Sequence, residues 1–251
     1  PHIDQYDVFI IQGMGSRRWR VGDKLPMRQF CPHPALLHVD PFPPIIDEDL
    51  EPGDILYIPP GFPHDGITHE TALNYSVGFR GPNGRDLISS FADYALENDL
   101  GGEHYSDPDL TCREHPGRVE EYELERLRGM MIEMIRQPED FRRWFGRFAT
   151  TPRHELDIAP AEPPFEEEEI VDALAGGEML TRLSGLRVLH ISDSFFVNSE
   201  QLEPTDPAAL DALCRYTLLG KEELGEAALR NPAFIADLTR LINQGYWFFD
   251  E

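Results

Sequence analysis

Cysteine is scarce: Cys31, Cys112 and Cys214 are the three in 251 residues. An odd, widely spaced set offers no disulfide framework and no zinc-like spacing, and it fits a reducing compartment. Basic residues are outnumbered, 22 Lys and Arg against 46 Asp and Glu, for a formal charge of −24. Such a surface repels a phosphate backbone, so direct nucleic-acid binding is not expected, whereas a basic protein partner is attracted. The plainer role of that charge is solubility. No apolar run reaches the roughly 18 residues of a membrane span, so no membrane is expected. No secretory signal is visible, and a cytoplasmic location is expected. The chain opens on Pro1, with no methionine, inside what reads as a strand. Residues upstream are therefore expected, and any targeting segment would lie among them.

What is present is enough apolar residue, 41%, for real cores. Residues 1–82 read as β structure. "YDVFIIQG", "GDILYIPPG" and "LNYSVGF" are short runs rich in β-branched and aromatic residues, closed by Gly or Pro turns. Pro26, Pro32, Pro34, Pro41, Pro43 and Pro44 are expected in connections, since a central strand does not hold proline. A sandwich or barrel follows from short strands of this kind. From residue 83 the period becomes helical, first in "GRDLISSFADYALEND". In "VEEYELERLRGMMIEMIRQ", Leu124, Leu127, Met130, Met131, Met134 and Ile135 share one helix face. That face reads as ordinary core or as a subunit interface, to which methionine adapts well. Pro138 suits the first turn of a further helix, "PEDFRRWFGRFA". "APAEPPFEEEE" is a proline-rich acidic linker. Beyond it, from residue 165, helices ("PAALDALCRYTLL" and "PAFIADLTRLINQG" among them) around a small β ribbon suggest a winged-helix arrangement, here acidic and so suited to protein binding or scaffolding.

The chemistry begins at His2-Ile3-Asp4. Side chains two apart on a strand share a face, with Cα atoms roughly 6.6 Å apart, and an imidazole and a carboxylate so placed can meet on one metal. His-x-Asp alone is a weak signal. It strengthens with "GDILYIPPGFPH", which places His64 just past a strand and a Pro-Pro-Gly-Phe-Pro turn. Two histidines and a carboxylate form the facial triad of non-haem iron(II) oxygenases. A common co-substrate of that chemistry, 2-oxoglutarate, has a second carboxylate that needs a cation, and arginine grips carboxylates with paired hydrogen bonds. "GMGSRRWR" supplies Arg17, Arg18 and Arg20. Alternation puts Arg17 and Trp19 on one face and Arg18 and Arg20 on the other, and spacing does not choose between them. A solvated basic strand edge is the bland alternative. Tyr6 alternates onto the face of His2 and Asp4, as a pocket residue or as core.

"HID" with "FIIQGMGSRRWRV", "EPGDILYIPPGFPH" and "NYSVGFRGP" resembles the JmjC-type 2-oxoglutarate oxygenases, and most closely the bacterial ribosomal oxygenases. "SFADY", "RHELDIAP" and "GYWFF" extend the resemblance over nearly the whole chain. It implies a mostly β double-stranded β-helix (cupin/JmjC) barrel over 1–82, a helical dimerisation region over 83–152 and an α+β winged-helix-like domain over 165–251. It implies barrel strands ahead of His2, so the barrel is expected to be N-terminally incomplete. It implies His2, Asp4 and His64 as ligands of Fe(II), Arg17 as the cation for 2-oxoglutarate, and Tyr6 and Ser76 as substrate-pocket residues. Dioxygen is the remaining reactant. The implied activity is hydroxylation of an arginine of a large-subunit ribosomal protein, a basic partner, by a homodimer, with release of succinate and CO₂. Two rivals are a cupin metal enzyme that does not use 2-oxoglutarate and a non-catalytic acidic module that docks a basic protein.

Overall fold

The computed structural model describes residues 1–33, 36–115 and 117–249, without the side chains of 31–37. Pro34, the Cys31 side chain and the last two residues of "YWFFDE" lie outside that description. The chain divides into two compact units, Pro1–Leu87 and Ile88–Glu251.

The first unit is β structure. Its strands are β1 (His2–Ile3), β2 (Asp7–Met14), β3 (Arg17–Gly22), β4 (Gln29–His33), β5 (Leu36–Val39), β6 (Pro44–Leu50), β7 (Ile55–Ile58), β8 (Pro63–Thr68) and β9 (Leu73–Phe79). Six form one antiparallel sheet in the order β4-β5-β1-β8-β3-β6, and three form another in the order β7-β2-β9. Strict alternation buries Val8, Ile10 and Gln12 on β2 and Trp19 and Val21 on β3. These apolar side chains meet Leu56 and Ile58 of β7 in one cluster, so the two sheets pack face to face. The opposite face of the smaller sheet carries Ile55, Tyr57, Tyr75, Val77 and Phe79, all exposed.

Two prolines expected in connections lie inside strands. Pro32 falls in β4 and Pro44 opens β6. Both strands are edges of the larger sheet, and each proline falls at a shift in the pairing register, where sheets accommodate proline. β6 is also acidic, with Asp47, Glu48 and Asp49, which protects that edge from pairing with another chain.

The division between the units falls within α1 (Gly84–Glu97). In the second unit follow α2 (Glu121–Arg136), α3 (Pro138–Thr150), α4 (Glu167–Gly176), β10 (Leu180–Arg182), β11 (Val188–Ile191), β12 (Ser194–Val197), β13 (Glu200–Leu202), α5 (Pro207–Arg215), β14 (Leu218–Leu219), α6 (Lys221–Leu224), α7 (Pro232–Asn243) and β15 (Trp247–Phe249). Asp206 and Asn231 cap α5 and α7 ahead of a proline in the first turn, and Gly177 closes α4 in the left-handed conformation. "TLL" of "PAALDALCRYTLL", expected as helix, holds the short strand β14, which pairs with β10. The core joins Phe195, Leu210, Leu213, Phe234, Leu238 and Trp247, the helices-plus-ribbon arrangement that the sequence suggests.

α2 departs from the ordinary-core reading. None of its residues is buried, and Leu124, Leu127, Met131 and Ile135 are exposed. Within the first unit, Arg20 makes paired hydrogen bonds of 2.9 and 2.5 Å to Asp65, and Arg18 does the same to Asp47 at 2.6 and 2.7 Å. The Arg20 bond holds the Asp65 carboxyl below the usual carboxylate range. A depressed folded value stabilises at neutral pH; that stabilisation begins to fade near about pH 4, the unfolded carboxylate value, and is lost as pH falls on through the lower folded value. Asp65→Asn is expected to cost about 1–3 kcal/mol at pH 7, the worth of hydrogen bonds to a charged group, and to reduce the drop in stability between pH 7 and about pH 2. Urea denaturation at the two pH values measures both effects.

Candidate metal centre

β1 lies between β5 and β8, and the pairing with β8 sets His2 directly opposite His64. Directly opposed residues point to the same face of a sheet. The two rings lie 4.2 Å apart, centroid to centroid. Asp4 follows β1, with Oδ2 at 3.9 Å from His2 Nε2 and 3.6 Å from His64 Nε2. One ligating atom from each residue falls within 4.8 Å of the others, within reach of a single ion whose bonds to such donors are about 2.1 Å.

His64 is 2% exposed, and it is not the loop residue that its place after the proline turn suggests: it belongs to β8, a central strand. Its Nδ1 lies 3.0 Å from the Phe62 carbonyl. A carbonyl only accepts, so Nδ1 carries the proton and Nε2 keeps its lone pair for a ligand. Burial, and then the neighbouring His64, push the His2 imidazole below its ordinary pKa, which favours the neutral form that metals bind. The turn is tied in by the Gly61 N–H, which donates to the Asp4 carbonyl at 2.9 Å. Gly61 has φ +84°, a conformation that costs a side-chain-bearing residue about 1–3 kcal/mol.

Register resolves the two faces of the arginine strand. Trp19 opposes Gly66 and Val21 opposes His64, so Arg17, Trp19 and Val21 share the interior face with the metal cluster. Arg18 and Arg20 face away, onto Asp47 and Asp65. β3 is not a strand edge, since it lies between β8 and β6. Arg17 donates to Asn74 Oδ1 at 2.6 Å and to the Gly66 carbonyl at 3.1 Å, with its guanidinium carbon 4.8 Å from the Trp19 ring centroid. Its Nε is buried without a hydrogen-bond partner.

Ser76 opposes Ile10 on the interior face of β9 and is solvent-exposed. Tyr6 does not continue the alternation of His2 and Asp4, because the chain bends at Gln5 and Tyr6 between β1 and β2. Its ring packs against the interior cluster, close over Gly78. Asn74 and Gly66 were not singled out in the sequence. Alternation carried the signal for both: Asn74 lies two residues before Ser76 on the same face of β9, and Gly66 two residues after His64 on β8.

The residues present fit iron(II) and 2-oxoglutarate. Two imidazoles and a carboxylate without thiolate suit Fe(II). A half-buried guanidinium with an unpartnered Nε, lying where a side chain at Gly66 would intrude, suits a carboxylate.

A face-to-face barrel with this cluster inside, followed by a winged-helix unit, defines the chain as a JmjC-type protein. Residues 1–87 match the JmjC domain family and residues 133–248 the ROXA-like winged helix family. The chain belongs to the JmjC-type ribosomal oxygenases: it is 60% identical over 250 residues to the ribosomal protein uL16 3-hydroxylase of Escherichia coli K12, covering all of this chain and 67% of that protein. It is 26% identical to a probable ribosomal oxygenase of Haemophilus influenzae, over 94% of this chain and 59% of that one. An X-ray structure of E. coli ycfD superposes with a TM-score of 0.93, covering 99% of this chain and 67% of that one. A structure of YcfD with cobalt and 2-oxoglutarate is 57% identical, with a TM-score of 0.91 over 100% of this chain and 66% of that one. The chain thus spans about two thirds or less of the length of these relatives.

Asp4→Ala and His64→Ala are each expected to weaken Fe(II) binding at least about 100-fold, since even the outer neighbours of metal ligands are worth 10–100-fold. Metal analysis of desalted protein reads the loss directly.

Proposed function

We propose that this chain is the greater part of an iron(II)- and 2-oxoglutarate-dependent hydroxylase of a ribosomal protein, acting on an arginine side chain. The observation that carries the reading is the convergence of His2, Asp4 and His64 on the barrel face that also holds Arg17, in a chain 60% identical to a uL16 3-hydroxylase. The arginine target rests on the family resemblance.

His2, Asp4 and His64 would hold Fe(II), three donors from one side of the ion. With 2-oxoglutarate and dioxygen, the bound iron supplies the oxidising chemistry that turns a C–H bond into C–OH and releases succinate and CO₂. The Phe62 carbonyl keeps His64 in the ligating tautomer. Arg17 offers its remaining N–H donors to the distal carboxylate of the co-substrate. Tyr6 and Ser76 line the approach for the substrate side chain. A net charge of −24 steers a basic ribosomal protein toward the enzyme and disfavours direct contact with nucleic acid. Among the described residues no helix is long and apolar enough to cross a membrane, and a ribosomal substrate supports a cytoplasmic location. The region 83–152, between the barrel over 1–82 and the winged-helix domain over 165–251, forms a homodimer through the exposed apolar face of α2.

Mass spectrometry of uL16 after incubation with the enzyme tests the activity. A gain of one oxygen on an arginine, dependent on Fe(II) and 2-oxoglutarate, is expected. Turnover without 2-oxoglutarate would favour another cupin enzyme, and no iron at all a binding module. Arg17→Ala is expected to weaken 2-oxoglutarate roughly 30- to several-thousand-fold, the range for stripping one partner from a buried charge pair. Leu127→Glu with Met131→Glu is expected to give a monomer by light scattering with iron content unchanged.

A further inference from the structure

We infer that Asn74 and Gly66 are positioning residues that fix the Arg17 guanidinium, and that through it they set which length of 2-oxo diacid the site accepts. The inference rests on the reading of Arg17 as the cation for the co-substrate.

Arg17 and Asn74 lie 57 residues apart, on β3 of the larger sheet and β9 of the smaller. Their 2.6 Å bond therefore ties the arginine head to the opposite wall of the barrel. A guanidinium only donates, so the amide oxygen of Asn74 must face it. On the other side, the Gly66 carbonyl accepts at 3.1 Å. A Cβ at Gly66 would stand 2.7 Å from Arg17 Nε and 3.0 Å from Cζ, so an alanine there displaces the head. Trp19 covers one face of the guanidinium. Across the ladder Asn74 opposes Gln12, which is 1% exposed and whose amide donates to the Met14 and Gly15 carbonyls at 2.9 Å each.

The chemistry of the pair is as informative as its geometry. A guanidinium has five N–H donors, and Asn74 and Gly66 take one each. Both acceptors are neutral. They hold the head without cancelling its charge, and the remaining donors and the full positive charge stay available to a carboxylate. An aspartate at position 74 would hold the head more tightly and neutralise it. A head fixed relative to the metal ligands of the same barrel defines one span between the two ends of a diacid, and so prefers one chain length.

The test is anaerobic calorimetric titration of the Fe(II)-loaded full chain with 2-oxoglutarate, with oxaloacetate (one methylene shorter) and with 2-oxoadipate (one longer), alongside thermal melts. The wild type is expected to bind 2-oxoglutarate best. Asn74→Ala should weaken it about 10- to 100-fold, the loss of one hydrogen bond to a charged group, and narrow its lead over the other two diacids. Asn74→Asp should weaken it further while leaving the melting temperature unchanged or higher, a divergence that a merely structural role would not produce. Gly66→Ala should also narrow the chain-length preference. The inference is overturned if Asn74→Asp binds as tightly as wild type, or if the Ala and Asp variants lose affinity and melting temperature in parallel. If Arg17→Ala leaves the affinity intact, or the wild type binds no diacid, the underlying reading of Arg17 falls instead.

Discussion

The antiparallel pairing of β1 with β8 is the constraint on which the site depends. It joins segments about 60 residues apart and sets His2 against His64 with no freedom of register. A slip of one residue would turn either ring to the other face of the sheet. The short loop after β7 supports the pairing from both sides. Its Gly61 N–H reaches back to Asp4, and its Phe62 carbonyl fixes the His64 tautomer. Two strands and one turn therefore position, orient and prepare three donor groups at once.

The same sheet divides the basic cluster by parity into two kinds of chemistry. Arg18 and Arg20 pair with carboxylates on the outer face and act in stability. Arg17, one residue from Arg18, faces inward onto neutral acceptors and keeps its charge unspent. A strand between two others can do this because each face meets a different environment, acidic outside and apolar or amide-lined inside.

The second unit follows ordinary packing rules, with capped helices around an apolar core that includes Trp247 and Phe195. Its exception is α2, whose apolar face stays open. Amphipathic spacing announces that such a face exists but not what covers it, because core and interface use the same residues.

Much of the architecture was legible from residue patterns. Alternation in "YDVFIIQG" and helical spacing after residue 83 mark strand and helix where the structure has them. His-x-Asp and the later His64 pointed to the donor set because short-range spacing and residue chemistry are properties of the chain itself. Proline was less reliable as punctuation, since Pro32 and Pro44 sit in strands that happen to be edges, a fact of sheet order and not of sequence. Residue chemistry determined that this protein has two imidazoles, a carboxylate and an arginine suited to an iron and diacid site. Spacing left the arginine open and only family resemblance chose Arg17; it was strand register that set Arg17, and not Arg18 or Arg20, on the face of His2 and His64, put His64 in a central strand, and brought Asn74 to Arg17 across the barrel. Those outcomes depend on strand register and on which sheets face each other, and long-range pairing leaves no trace in local spacing.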